Sequence, residues 1–249
     1  MNNLYRNILE QKTKKKKMLA VLLDPEKCVG EVLRKTLAQL EKTLPDLLLI
    51  GGSSKSCSTN ALLTTLQTIK TPKILFPGDA SQFSEKADGI LFLSLISGRN
   101  SDYLIGQHVQ SALQIKASRI EVIPTGYILI DGGTDSSVSR ISQTRPIAAD
   151  DIQKATATAV AGELLGMKAI YLEAGSGAKN PVVAEMIATV KKHLDIPLIV
   201  GGGIKSKKQL KTAFEAGADL VVVGNIFESD PNKINEFVNF TRDFNSEER

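Results

Sequence analysis

The chain has 249 residues, of which 42% are hydrophobic, 23% charged and only 5% aromatic, with no Trp. That length suits one large α/β domain, and so few rings argue against a platform for stacking nucleic-acid bases. The net charge of +4 is concentrated in Lys12 and the run Lys14 to Lys17, so the rest is near neutral and no basic nucleic-acid face is indicated.

The lysine run reads as a solvated helix end, with contact to an anionic membrane surface or substrate as the alternative. The two cysteines, Cys28 and Cys57, sit in no CxxC or Cys/His cluster, which fits a reducing cytoplasm. The N-terminal segment is polar and lacks an apolar signal core. No stretch approaches the roughly 20 apolar residues that cross a bilayer. A cytoplasmic protein with no transmembrane segment is expected.

From there on, short apolar runs alternate with helix-period stretches. Strands are expected at 18–23, 46–50, 73–76, 89–93, 119–123, 169–173, 197–200 and 220–223. Runs of this kind, bounded by Gly, Pro or Asp, suit parallel strands covered on both faces. Helical patterns lie between them at 35–44, 61–69, 152–165, 181–193 and 207–216. Gly217 ends a helical run, and Pro197 opens a strand where a missing N–H is tolerated. Eight strands alternating with helices predict a single (β/α)8 TIM barrel spanning 1–249. A doubly wound open sheet is the runner-up, disfavoured because no GxGxxG follows the first strand. The stretch 124–145 is expected to be irregular, either a functional lid or a surface loop.

Three glycine clusters close successive strands: Glu173-Ala174-Gly175-Ser176-Gly177, Gly201-Gly202-Gly203 and Gly224-Asn225. Glycine lets a backbone approach an anion and aim N–H groups at it, and barrels commonly hold phosphate in these loops. One glycine triplet could serve turn geometry alone; three in barrel register favour phosphate. Ser176 adds a hydroxyl, Ser206 opens the next helix, and Lys205 adds charge or is simply exposed.

Two carboxylates complete the picture. Asp24 ends the first strand, at the face where barrel chemistry gathers, with Gly51-Gly52-Ser53-Ser54 ending the second. One carboxylate with a hydroxyl suits Mg2+ shared with a substrate phosphate; zinc would need His or Cys, and His108 and His193 are distant in sequence. A capping or turn role is the alternative for Asp24. Glu173 ends strand six and suits a general base toward a substrate hydroxyl. Tyr171 shares its side of the strand, as a substrate contact or as core.

These residues in this order resemble the geranylgeranylglyceryl phosphate synthase family. The resemblance rests on Leu23-Asp24-Pro25-Glu26-Lys27, Gly51-Gly52-Ser53, Tyr171 to Gly177, Gly201-Gly202-Gly203-Ile204 and Val223-Gly224-Asn225. Phe76-Pro77-Gly78, Leu93 to Asn100 and Pro124-Thr125-Gly126-Tyr127 extend it over the chain and make it most similar to the family's second group. The resemblance implies transfer of a polyprenyl group, geranylgeranyl by preference, from its diphosphate to the primary hydroxyl of sn-glycerol 1-phosphate. It implies substrate binding at Tyr171, Leu172, Glu173, Ala174, Gly175, Ser176, Gly177, Gly202, Gly203, Gly224 and Asn225. It also implies Mg2+ at Asp24 and Ser53, catalysis by Glu173, and a homo-oligomer. Where one bacterial branch carries a phosphate-binding lysine, this chain has Leu22, which separates it from that branch and its longer donors. Lys27, Lys73 and Arg99 are candidate diphosphate contacts. The competing reading is a sugar-phosphate isomerase or lyase. The isomerase would want an Asp pair on opposite strands, and an aldolase-like lyase a lysine inside one.

Overall fold

The computed structural model describes residues 3–52 and 59–247, so Ser53, Ser54 and Cys57 lie outside the described residues. Eight parallel strands close into a barrel in sequence order. They are β1 (Met18–Leu23), β2 (Leu47–Ile50), β3 (Lys73–Leu75), β4 (Gly89–Leu95), β5 (Glu121–Leu129), β6 (Ala169–Glu173), β7 (Leu198–Gly201) and β8 (Leu220–Val223). The helices are α1 (Leu4–Thr13), α2 (Gly30–Lys42), α3 (Thr59–Thr65), α4 (Gln107–Ala117), α5 (Ser137–Ser142), α6 (Ile152–Leu164), α7 (Ala184–Lys192), α8 (Lys207–Glu215), α9 (Asn225–Ser229) and α10 (Lys233–Glu247). The expected TIM barrel is the observed fold.

Side-chain alternation divides each strand between two cores. Met18, Ala20, Leu47, Leu49, Tyr171, Ile199, Leu220 and Val222 point inward and fill the barrel. Leu19, Val21, Leu48, Ile50, Leu172, Val200, Val221 and Val223 point outward against the helices. Burial on both faces is why these strands read as unbroken apolar runs.

The end of the barrel away from the strand C-termini is sealed. Leu4 and Ile8 of α1 pack into the inner core, and Glu121 accepts hydrogen bonds from the N–H groups of Leu4 (2.7 Å) and Tyr5 (3.0 Å). An aspartate one residue before β2, β4 and β8 accepts a backbone N–H from the preceding strand. Asp46 takes Leu19, Asp88 takes Lys73 and Asp219 takes Leu198, each at 2.8 Å. The lysine run lies at this end, in the turn after α1, with Lys14 and Lys15 exposed, as a solvated helix end should be.

The stretch 124–145 departs from expectation. β5 runs on through Pro124 to Leu129, paired with β4 on one side and β6 on the other. Proline is rare inside a central strand because it donates no ladder hydrogen bond. Pro124 nevertheless stands opposite Phe92, and its carbonyl still accepts the Lys168 N–H at 2.8 Å. Beyond β5, Ile130 bridges Ile147, and α5 is capped by Ser136, whose Oγ accepts the Ser139 N–H. Asn100 ties α5 down by donating to the Ser142 carbonyl at 2.9 Å. The segment is a tethered cover over the strand ends.

Candidate active site

A cavity of about 300 Å3 opens at the C-terminal ends of the strands. Its polar end is lined by Asp24, Gly52, Glu173, Ser176, Gly202, Gly203, Gly224 and Asn225. Its apolar arm runs past Phe83, Ile90, Phe92, Tyr103, His108 and Val138. One hollow thus carries polar groups from the loops after β1, β2 and β6 to β8 and mainly apolar side chains from the β4 and α4 side, a lining suited to an amphiphile.

Glu173 is the buried acid of this site, at 6% exposure. Desolvation raises its carboxyl to about 7, opposed by the Gly175 N–H, which donates to Oε1 at 2.7 Å. Tyr171 lies two residues earlier on the same face of β6, and its hydroxyl sits beside Glu173 without a well-directed hydrogen bond in the protein.

The glycine of the β7 loop is required by this contact. Gly202 has φ +82°, and a Cβ there would lie 2.4 Å from Glu173 Oε1 and 2.7 Å from the Gly175 nitrogen. Asn225 links the loops after β6 and β8: its Oδ1 accepts the Gly177 N–H at 3.1 Å and stands 3.3 Å from Ser176 Oγ.

Across the mouth, Asp24 Oδ1 accepts the Glu26 N–H at 3.0 Å, so the residue does shape a turn. Its carboxylate still faces the cavity, with Lys27 Nζ 3.9 Å from Oδ2 and bridging on to Glu228 at 3.1 Å. Gly52 leaves open the space beside it: a Cβ there would lie 2.7 Å from the Asp24 carboxylate. No cluster of three His, Cys, Asp or Glu that could hold a metal is present among the described residues. Asp24 is the carboxylate on this side of the mouth that could hold a divalent cation, in competition with the Lys27 ammonium.

Several expected contacts fall elsewhere. Leu172 and Ala174 point into the outer core, because alternation turns them away from Tyr171 and Glu173. The Ala174 N–H donates to Gly201, that of Gly175 to Glu173 and that of Gly177 to Asn225, so these three residues shape the loop from behind the cavity wall. Lys73 sits at the start of β3, at the sealed end, with its ammonium on the Ile69 carbonyl. Arg99 is exposed, and its Nη1 donates to the carbonyls of Ile96 and Gly98. Leu22 does line the cavity, against Gly224.

The residues that line the apolar arm are what sequence reasoning missed. His108, distant from the glycine loops in the chain, lies on the cavity wall edge-on to Phe92, with ring centroids 4.4 Å apart. Its only sequence signal was position: His108 and Ser111, one turn apart on α4, share a helix face. The lysine on the cavity wall, Lys27, comes from the loop after β1 rather than from a strand interior, unlike a Schiff-base lysine.

A model of the PcrB family matches residues 10–241. The chain belongs to the PcrB family. Among relatives of this PcrB-family protein, geranylgeranylglyceryl phosphate synthase of Flavobacterium johnsoniae is 49% identical over 92% of this chain and 96% of its own. The enzyme of that name from Pyrococcus furiosus is 39% identical, covering 89% and 88%. The crystal structure of (S)-3-O-geranylgeranylglyceryl phosphate synthase from Thermoplasma acidophilum, in complex with its substrate sn-glycerol-1-phosphate, superposes with a TM-score of 0.88. It is 32% identical and covers 98% of each chain.

Proposed function

We propose that this protein is a prenyltransferase that joins a polyprenyl diphosphate, geranylgeranyl by preference, to sn-glycerol 1-phosphate through an ether bond, with release of diphosphate. The observation that carries the reading is the two-ended cavity, in which Asp24 and Glu173 face the polar mouth and Phe83, Phe92 and His108 line the apolar arm. A relative named geranylgeranylglyceryl phosphate synthase and a solved synthase of the same fold in complex with sn-glycerol-1-phosphate support it.

The glycerol phosphate fits the loops after β6, β7 and β8, with its phosphate among Ser176, Gly203, Gly224 and Asn225. The prenyl chain fits the apolar arm. Glu173 orients the acceptor hydroxyl and takes its proton as the new C–O bond forms. Asp24, with Ser53 by resemblance, would hold Mg2+, which when bound offsets charge on the departing diphosphate. Burial of both reactants in one hollow excludes water and supplies the entropic advantage of alignment.

The same proposal takes the protein to be a single-domain cytoplasmic homo-oligomer. No helix among the described residues is long and apolar enough to cross a membrane. Ile105, Val109 and Leu113, 58%, 68% and 86% exposed, form one stripe beside and along α4, a helix whose one charged residue is Lys116. Such a face suits a second copy of the chain better than water. Contact with an anionic membrane surface would fall to the lysine run, at the barrel end opposite the mouth.

The test is to incubate the protein with Mg2+, sn-glycerol 1-phosphate and prenyl diphosphates of graded length, and to look for the prenyl ether by mass spectrometry. Ether from the 1-phosphate but not the 3-phosphate, best with the C20 donor and lost on chelation, is expected. No ether with any donor from folded protein overturns the reading. Light scattering on the same sample gives the oligomeric state.

A further inference from the structure

The chain is poor in aromatic residues, with four Tyr and eight Phe, yet three of the four Tyr line one cavity together with Phe76, Phe83 and Phe92. Three of these rings form a group. Phe76, just past β3, Tyr127 on β5 and Tyr171 on β6 have ring centroids 5.4 Å apart for Phe76–Tyr171, 6.1 Å for Phe76–Tyr127 and 5.2 Å for Tyr127–Tyr171.

The rings pack with the inner core and line the cavity, one inward step below Leu129 and Glu173 on β5 and β6. Leu22 packs against the same core. Two residues on, along β6 and beyond β1, come Glu173 and Asp24. A carbon held between those two carboxylates therefore rests on an aromatic floor. Phe76 is the least buried of the three rings, while Tyr127 and Tyr171 are 6% and 0% exposed. Burial, with Glu173 nearby, pushes both tyrosine hydroxyls well above their ordinary range, so both rings stay neutral.

We infer that Phe76, backed by Tyr127 and Tyr171, is a catalytic residue whose ring stabilises the positive charge that develops on the allylic carbon during transfer. The inference rests on the prenyl-transfer reading. In that step the bond from C1 of the prenyl group to the diphosphate oxygen breaks, and its electron pair leaves with diphosphate. A lone pair of the acceptor hydroxyl forms the new C1–O bond, and the hydroxyl proton passes to the Glu173 carboxylate. Between bond breaking and bond making the carbon is electron-poor. A ring face attracts a cation through its quadrupole and offers no lone pair to capture it, whereas a nearer carboxylate or water would trap it as ester or alcohol. Desolvation by the buried floor strengthens the attraction.

The competing view is that the rings are only an apolar seat for the prenyl chain, and the two views predict different kinetics. Phe76→Leu keeps apolar volume and removes the ring. The expected result is a fall in kcat of about ten-fold, with KM for the prenyl diphosphate changed less than two-fold. Phe76→Tyr should hold kcat within about three-fold, since a phenol ring has a comparable quadrupole. Phenylalanines with one, two and three ring fluorines, placed at position 76, change ring charge at nearly constant shape. They keep the test decisive if the leucine variant folds poorly. A stepwise fall of log kcat with each fluorine supports the inference, and a flat series or an unchanged kcat for F76L overturns it. Wild-type protein yielding no ether at all would overturn the prenyl-transfer reading itself, and the two failures are thereby distinct.

Discussion

At Glu173 two requirements oppose each other. Proton acceptance needs the ionised form, while burial disfavours it and raises the carboxyl to about 7. kcat/KM should therefore climb with pH through a limb near 7, and Glu173→Gln should remove the limb along with about 100-fold or more of the activity. A pH–rate profile for each enzyme checks this. The same shift fixes a sign for stability. The folded carboxyl binds its proton more tightly than the unfolded one, so stability is complete below about 4.5 and is lost as pH rises toward 7. The glutamine variant should thus be the more stable protein at pH 8, by up to about 3 kcal/mol, and little different at pH 4. Urea unfolding of both at the two pH values measures the gap, and equal gaps would mean that Glu173 is solvated.

At the scale of elements, the loops after β6 and β7 are built against each other. Gly202→Ala would set a methyl group on Glu173 Oε1 and impose φ +82° on a residue with a Cβ. The strain should cost about 1–3 kcal/mol and, by turning Glu173, lower kcat/KM by about ten-fold or more. Melting curves beside steady-state kinetics report both effects. α4 sets the reach of the apolar arm, since His108 and Ser111 line it from one helix face. Ser111→Trp fills that space and should shift donor preference from C20 toward C15 by at least about ten-fold in kcat/KM, measured with prenyl diphosphates of graded length. An unchanged preference would place the prenyl chain elsewhere.

Over the whole molecule, the two ends of the barrel divide the labour between stability and chemistry. Asp219 serves the sealed end, accepting the Leu198 N–H at 2.8 Å and pairing with Lys191 at 2.5 Å. Asp219→Ala orphans a buried N–H and an ammonium, and should cost about 2 kcal/mol, or about 4–8 °C in Tm. Activity per folded molecule should stay unchanged, because the change lies across the barrel from the mouth. Differential scanning fluorimetry with an assay below the transition distinguishes that result from a fall in kcat.

What could be read from sequence follows from what is local. Burial on both faces makes each strand a continuous apolar run, and eight such runs separated by helical periods already specify the closed barrel. Barrel order then places every strand end at one face, so Asp24, Glu173 and the glycine loops could be assigned to a shared mouth. Alternation along β6 even separates Tyr171 and Glu173, which face inward, from Leu172 and Ala174, which do not. Pro124 hid the second half of β5, because a proline's lost hydrogen bond is a local signal while the flanking strands that retain it are not. The residues that line the apolar arm, and the aromatic floor, were decided by tertiary structure alone. Phe76, Tyr127 and Tyr171 are brought within 5.2–6.1 Å from the end of β3 and from two other strands, and His108 meets Phe92 from the following helix. Contacts between residues far apart in the chain leave no periodicity to read; only closing the barrel brings them together.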